Sequence, residues 1–234
     1  MIDLKLKITL LSDTTFGRGD GVAGLVDAEV QHDAIGCPFL FGRTVKGMLR
    51  EECANLLFAL EGAAPAMLAR WKNAANALLG EPGSDEGGRA ALVIDDAVID
   101  ADLRQAIAWQ VANNALRRDE VLDAFTAIRQ QTAVDPVSGA PQDETLRAAR
   151  VILRDTVFWA PLHIDKNRLC ARQVAPEDAL MLLAAVISGW RRAGAGRNRG
   201  RGEISAALYE TVAAGVVECT PTHLAAFAKE VMPS

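Results

Sequence analysis

The chain has no apolar run long enough to cross a membrane, which takes about 20 consecutive residues. Its opening, Met1-Ile2-Asp3-Leu4-Lys5, has none of the parts of a secretory signal, so cytoplasm is the expected compartment and no membrane partner is expected. Its four cysteines (Cys37, Cys53, Cys170 and Cys219) are too scattered for a zinc module or a disulfide framework, so reduced, partly buried thiols are expected. Histidine occurs three times, and His163 and His223 have no partner pattern. Aromatics make up 5% of the chain. The tryptophans Trp71, Trp109, Trp159 and Trp190 sit among apolar neighbours, which favours core packing over base stacking. Excess positive charge is missing too. The net charge is −5, whereas a protein that holds a polyanion by bulk electrostatics is normally basic.

The cations that are present are concentrated. Residues 191–201 carry five arginines and no acid, and residues 43–50 carry three cations and no acid. Removing those eight from 25 leaves 17 basic residues against 30 acidic ones. Both basic stretches are interleaved with glycine: Gly42-Arg43-Thr44-Val45-Lys46-Gly47-Met48-Leu49-Arg50, and Gly194-Ala195-Gly196-Arg197-Asn198-Arg199-Gly200-Arg201-Gly202. Glycine lets a backbone approach a ligand closely, and arginine offers a forked donor set to phosphate. Together they suggest a groove for a nucleic-acid backbone.

At 234 residues the chain can bury one substantial core, and one elaborated domain over 1–234 is expected. Ile2, Leu4, Leu6, Ile8 and Leu10 alternate with polar residues, which predicts a half-buried strand. Val45, Met48, Leu49, Cys53, Leu56, Leu57 and Leu60 have helical spacing, with Thr44 as N-cap and Lys46 and Arg50 on one face, roughly opposite the apolar stripe. Further helices are predicted at 65–79, 101–131, 176–192 and 220–231, and strands at 91–98, 151–164 and 203–209. An exposed hairpin or arm is expected from Asp135-Pro136-Val137-Ser138-Gly139 to Arg150, because it has turn chemistry and little to bury. Without the insertions the order is strand, helix, strand, strand, helix, strand. That is an α+β, ferredoxin-like arrangement with helices on one face of an antiparallel sheet.

Four stretches carry a family resemblance. Gly24-Leu25-Val26-Asp27-Ala28-Glu29-Val30-Gln31-His32-Asp33, followed by Gly36-Cys37-Pro38-Phe39-Leu40-Phe41 and the basic segment 42–50, resembles the N-terminal motif of the RAMP superfamily. Within that superfamily it is most similar to the backbone subunits of type III CRISPR effector complexes. The glycine-arginine stretch 194–202 resembles the C-terminal signature, and residues 132–147 are similar to the thumb.

The resemblance implies a modified RRM-like RAMP fold with helical insertions and a thumb hairpin at about 100–150. It implies CRISPR RNA, target RNA and neighbouring effector subunits, the same or related RAMP proteins, as partners. Arg43, Thr44, Lys46, Gly47 and Arg50 would meet guide phosphates, with Gly194, Gly196, Arg197, Arg199, Gly200, Arg201 and Gly202 as the second half of the grip. Asp27 matches the catalytic aspartate of target-RNA cleavage, in which a 2′-hydroxyl attacks the adjacent phosphorus. It would take the hydroxyl proton or hold a loosely bound Mg²⁺ or Mn²⁺. Three alternatives stand beside this reading. The first is a scaffold with Asp27 idle. The second is a repeat-RNA processing endoribonuclease, which needs an imidazole such as His32 near the loop. The third is a ferredoxin-like metabolic protein with a small anionic ligand. Asp95-Asp96 resembles a carboxylate pair, but neighbouring strand residues point to opposite faces, so a shared metal is not expected.

Overall fold

The computed structural model describes residues 1–81, 89–132, 138–140, 145–213 and 215–232. The elements begin with β1 (Ile2–Leu10), β2 (Phe39–Leu40), α1 (Gly42–Ala63), α2 (Leu68–Leu79), β3 (Leu92–Ile94) and β4 (Ala97–Val98). Then follow α3 (Ala101–Ala112), α4 (Arg118–Phe125), β5 (Thr126–Gln131), β6 (Arg147–Ile152) and β7 (Val157–Ile164). The chain ends with α5 (Lys166–Ala171), α6 (Pro176–Gly189), β8 (Ile204–Val212), β9 (Gly215–Glu218) and α7 (Thr220–Val231).

β1 lies at the centre of the main sheet, antiparallel to β7 on one side and β8 on the other. β3 pairs with β7, so the spatial order is β8-β1-β7-β3, the ferredoxin-like arrangement the element order predicts. The period-two pattern of β1 decides which face is covered. Leu6, Ile8 and Leu10 are fully buried, each worth about 1.5–3 kcal/mol relative to exposure, and α1, α6 and α7 pack on that side. Lys5, Lys7 and Thr9 point the other way. Cys37, Cys53 and Cys219 are free and buried, and burial pushes each thiol up to about 11. Cys170 is free and exposed.

β5 and β6 form a separate antiparallel hairpin, Thr126 opposite Ile152 through Gln131 opposite Arg147. This is where the thumb was expected, and its base is tied down by a buried ion pair. The Arg150 and Glu29 side chains are 7% and 3% exposed and lie 3.1 Å apart. Arg150 also donates to Asp123 at the end of α4 and to the Thr126 hydroxyl. Placing both charges inside is tolerable because each is paired and further hydrogen-bonded.

Several boundaries differ from the sequence reading. The helix expected at 101–131 is two helices and a strand. Asn114 takes φ 57 after α3, and from Thr126 onward the chain pairs with β6, so cross-strand hydrogen bonding replaces the helix. The single strand expected at 151–164 breaks at Asp155 (φ 68), separating the hairpin strand β6 from the sheet strand β7. Thr44 is not the N-cap. α1 starts at Gly42, and the Asp96 carboxylate accepts from the Gly42 N–H at 2.8 Å, capping the helix from the β3–β4 connection. Asp96 thereby has a structural role of its own. α5 and β9 were not anticipated. The arm tip expected around Asp135-Pro136-Val137 lies outside the described residues.

Candidate nucleic-acid interface

The glycine-arginine loop leaves α6 and returns as β8. At Gly202 (φ +75) a Cβ would sit 2.1 Å from the Ala193 carbonyl oxygen, and at Gly194 (φ +79) 2.6 Å from that of Thr15. Both positions therefore need glycine for backbone-on-backbone packing. Gly202 donates its N–H to the Asp13 carbonyl at 3.2 Å, and Ala195 donates to Thr15 at 2.9 Å. Between these anchors Gly196 and Gly200 bracket a single 3-10 turn, Arg197–Arg199. The turn is fixed at both feet and raises its arginines toward solvent.

The loop separates two open clefts. One, of about 730 Å³, is lined by Thr15, Ala28, Glu51, Gln131 and Ala149 together with Arg192, Arg197, Arg199 and Arg201. The other, of about 670 Å³, lies against Ser12, Asp13, Arg129, Arg154, Gly200 and Arg201. Six arginines thus surround one loop, against Asp13, Glu51 and Asp155 as the acids. Glu51 already holds Arg197 at 3.1 Å, and Asp13 holds Arg129 at 2.8 Å. Arg129, Arg154 and Arg192 were not among the residues expected from sequence. Arg129 was hidden by the expectation of a helix there, since only the hairpin pairing turns it toward the loop.

The first basic segment behaves differently. The Lys46 ammonium donates to the Leu92 carbonyl at 2.6 Å, and burial, with the nearby Arg50 and Arg168 charges, pushes it below its ordinary value. Arg50 donates to the carbonyls of Leu79 and Gly80 at 2.6 and 3.0 Å, closing the C-terminus of α2. These two do share a helix face, but it is the flank packed on β3 and α2, not the side opposite the apolar stripe. Neither lines either cleft. Arg43 lies over the Phe41 ring at 4.3 Å. Gly42 is a glycine because a Cβ would meet the Ile94 carbonyl at 2.0 Å. Helical spacing puts Thr44, Gly47 and Glu51 on one stripe, and Glu51 brings that stripe to the loop. A Cβ at Gly47 would meet nothing within 4 Å. Internal packing therefore does not require glycine in this exposed helix position.

Asp27 is exposed and sits where the segment 27–30 runs alongside β6. Its backbone N–H donates to the Ala148 carbonyl and its carboxylate Oδ2 accepts from the Ala148 N–H, both at 2.7 Å. Ala28, the next residue, is part of the wall of the arginine cleft. Asp27 itself lines a smaller neighbouring cleft of about 420 Å³, formed by the tight loop Gly21–Val26 with Leu146 and Ala148. The carboxylate and the arginines thus occupy opposite sides of one two-stranded rib. His32 lies elsewhere, its Nδ1 against the Arg118 guanidinium and the Asp33 carbonyl, and it lines none of these clefts. Among the described residues no group of three or more His, Cys, Asp or Glu side chains is arranged to hold a metal ion. A divalent ion at Asp27 would have one carboxylate as its protein ligand. That suits Mg²⁺ or Mn²⁺ only with most of its coordination drawn from water and phosphate oxygens.

A family model for the RAMP superfamily matches residues 7–205. The chain belongs to the RAMP superfamily. Among solved structures, this RAMP protein resembles a chain of the type III-B Cmr-beta complex bound to cognate target RNA. The TM-score is 0.59 at 11% identity, covering 89% of this chain and 97% of that one. It also resembles a chain of the type III-B Cmr-beta complex in the apo state, with a TM-score of 0.57 at 12% identity over 88% and 96% of the two chains. At such identity the likeness establishes the fold. No curated protein sequence matches the chain. Among the described residues no helix is long and apolar enough to cross a membrane.

Proposed function

We propose that this RAMP protein is an RNA-gripping backbone subunit of a type III CRISPR effector complex, one that holds guide RNA and cuts the paired target at Asp27. The observation that carries the reading is the arginine cleft, where the glycine-arginine loop, the hairpin base and the exposed stripe of α1 converge. Its partners are CRISPR RNA, target RNA and neighbouring RAMP subunits. The fold likeness to Cmr-beta chains, one of them in a complex bound to target RNA, supports this assignment.

Within the reading the residues divide the work. Arg197, Arg199 and Arg201 meet the phosphates, with Arg129, Arg154 and Arg192 extending the positive surface past the loop. Thr44 and Gly47 give the guide backbone a close approach to α1, and Arg43 lies at the edge of that contact. Lys46 and Arg50 act mainly by holding α1 against β3 and α2. Gly194, Gly196, Gly200 and Gly202 shape the turn. Sequence selection comes from base pairing between guide and target, because the cleft presents donors suited to phosphate rather than a base-edge code.

For cleavage, the 2′-hydroxyl of the target nucleotide at the scissile bond attacks its own phosphorus. A 2′,3′-cyclic phosphate forms, the bond from phosphorus to the 5′-oxygen breaks, and that oxygen takes a proton from water to leave as a hydroxyl. Asp27 Oδ2 is held by the Ala148 N–H, which leaves the other carboxylate oxygen to accept the nucleophile's proton. A divalent ion bound at Asp27 would supply charge stabilisation at the phosphate. In-line placement of the distorted target accounts for much of the rate.

The competing reading is a scaffold with Asp27 idle, favoured by the fact that one of its oxygens already accepts from the Ala148 backbone. Asp27→Ala in the assembled complex separates the two. Loss of target cleavage with guide occupancy intact is expected, and unchanged cleavage would leave only the scaffold. Processing of repeat RNA is disfavoured because His32 lies away from the loop.

A further inference from the structure

The sheet has a second face. α1, α6 and α7 pack against one side, while the other carries Lys5, Lys7 and Thr9 of β1, Trp159 and Pro161 of β7, and Ser205, Ala207 and Tyr209 of β8. Trp159, expected in the core, is half-exposed here. Its ring meets the Tyr209 ring edge-on at 5.2 Å between centroids, above β1. The Lys7 ammonium lies over the Trp159 ring at 5.6 Å. Two aromatics and two lysines therefore crown the central strands.

We infer that this open face is a base-stacking contact for single-stranded RNA, separate from the arginine clefts. Two features argue for RNA. Charge varies along the face: Asp3, paired with His163 at 2.7 Å, and Asp95 lie toward the start of β1, while from Lys5 onward the three central strands carry Lys5, Lys7 and the hydroxyls of Thr9, Ser205 and Tyr209, with Glu218 at the edge opposite Tyr209. The basic half also leads directly to the second arginine cleft, since β1 ends at Leu10 and Leu11, Ser12 and Asp13 line that cleft. A strand leaving the cleft continues onto the sheet past Asp13, which Arg129 holds, and past Asp155, with Arg154 in the same wall. There its bases have two π surfaces, a stacking mode indifferent to sequence. Lys7 is long enough to lift from the indole to a phosphate. The inference rests on the reading that the chain grips RNA.

The test uses the full chain with a single-stranded uridine-rich RNA of about 15 nucleotides carrying photoactivatable 4-thiouridine. Crosslinks to the peptide spanning Val157–Ile164 are expected, besides those in the loop. Trp159→Leu and Tyr209→Leu, each checked by thermal melting, should weaken binding at least about fivefold while leaving the salt slope unchanged, because stacking releases no counterions. Arg199→Glu is the control for the underlying reading and should reduce both affinity and salt slope. If Arg199→Glu fails while the folded aromatic variants bind normally, the stacking site is wrong and the arginine grip stands. If Arg199→Glu binds normally, the grip itself is wrong, whatever the sheet does. Should either leucine variant not fold, the wild-type crosslink map decides, and crosslinks confined to residues 194–202 overturn the inference. Protection of Trp159 by a neighbouring protein subunit, with no effect of RNA, would also overturn it.

Discussion

The two glycine-basic segments look alike in sequence and have opposite roles in the fold. In residues 43–50 the cations are engaged by the protein itself: Lys46 and Arg50 donate to backbone carbonyls of β3 and α2, and Arg43 lies on a phenyl ring. In residues 191–201 the arginines stand outward on a turn whose feet are fastened to Asp13 and Thr15. A run of positive charge in a sequence thus does not say whether it serves the protein or a ligand. The difference lies in which carbonyls are within reach. The end of α2 and β3 lie beside α1, while the loop extends beyond the sheet into solvent.

The comparison can be broken most strongly where a guanidinium is wholly internal. Arg150→Met leaves the Glu29 carboxylate buried and unpaired and should cost about 3–5 kcal/mol, read from urea denaturation. At the other extreme, Arg199→Ala combined with Arg201→Ala should leave stability within about 0.5 kcal/mol of wild type. RNA affinity should fall at least about tenfold and the log–log salt slope by about 1.4 in filter binding.

Arg50→Ala is predicted to behave as a stability mutation, costing about 1 kcal/mol with little change in the salt slope. A large loss of slope would place Arg50 among the RNA contacts after all. Gly47→Ala should stabilise α1 by about 0.8–1 kcal/mol in thermal melting and weaken guide binding, because the new methyl group fills the approach path. If affinity were unaffected, the open stripe of α1 would have no part in the grip.

The smallest effect concerns pH. Asp3, with Asp95, raises His163 above its ordinary value. Its contribution is therefore fully present below about pH 6.5 and fades as pH rises through the raised value. The pair is partly solvent-exposed, so solvent screens it. A slightly steeper fall in melting temperature between about pH 6 and 8 is expected for wild type than for Asp3→Asn.

The sheet was legible in the sequence because strong period-two and period-3.6 patterns survive insertion. β1, α1, α6 and α7 lie close to where their apolar spacing puts them. The hairpin base was not, because Thr126–Gln131 follows a helix with no glycine or proline between, and only pairing with β6 makes it a strand. Trp159 was misplaced for a related reason. Its neighbours Phe158 and Ala160 are buried, yet alternation turns Trp159 itself to the open face. At the candidate site, the loop arginines were identifiable by their clustering. Arg129 and Arg154 were not, since tertiary pairing alone brings them to the loop.

Asp13 meets three partners at once: Arg129 on the hairpin, the Arg154 N–H at the turn into β7, and the Gly202 N–H at the foot of the loop. One small acid thereby couples arm and hand mechanically. Tilting the hairpin pulls on the same residue that anchors the arginine turn, so a load on either one is transmitted to the other through Asp13, whose carboxylate takes the hairpin side and whose main-chain carbonyl takes the loop side.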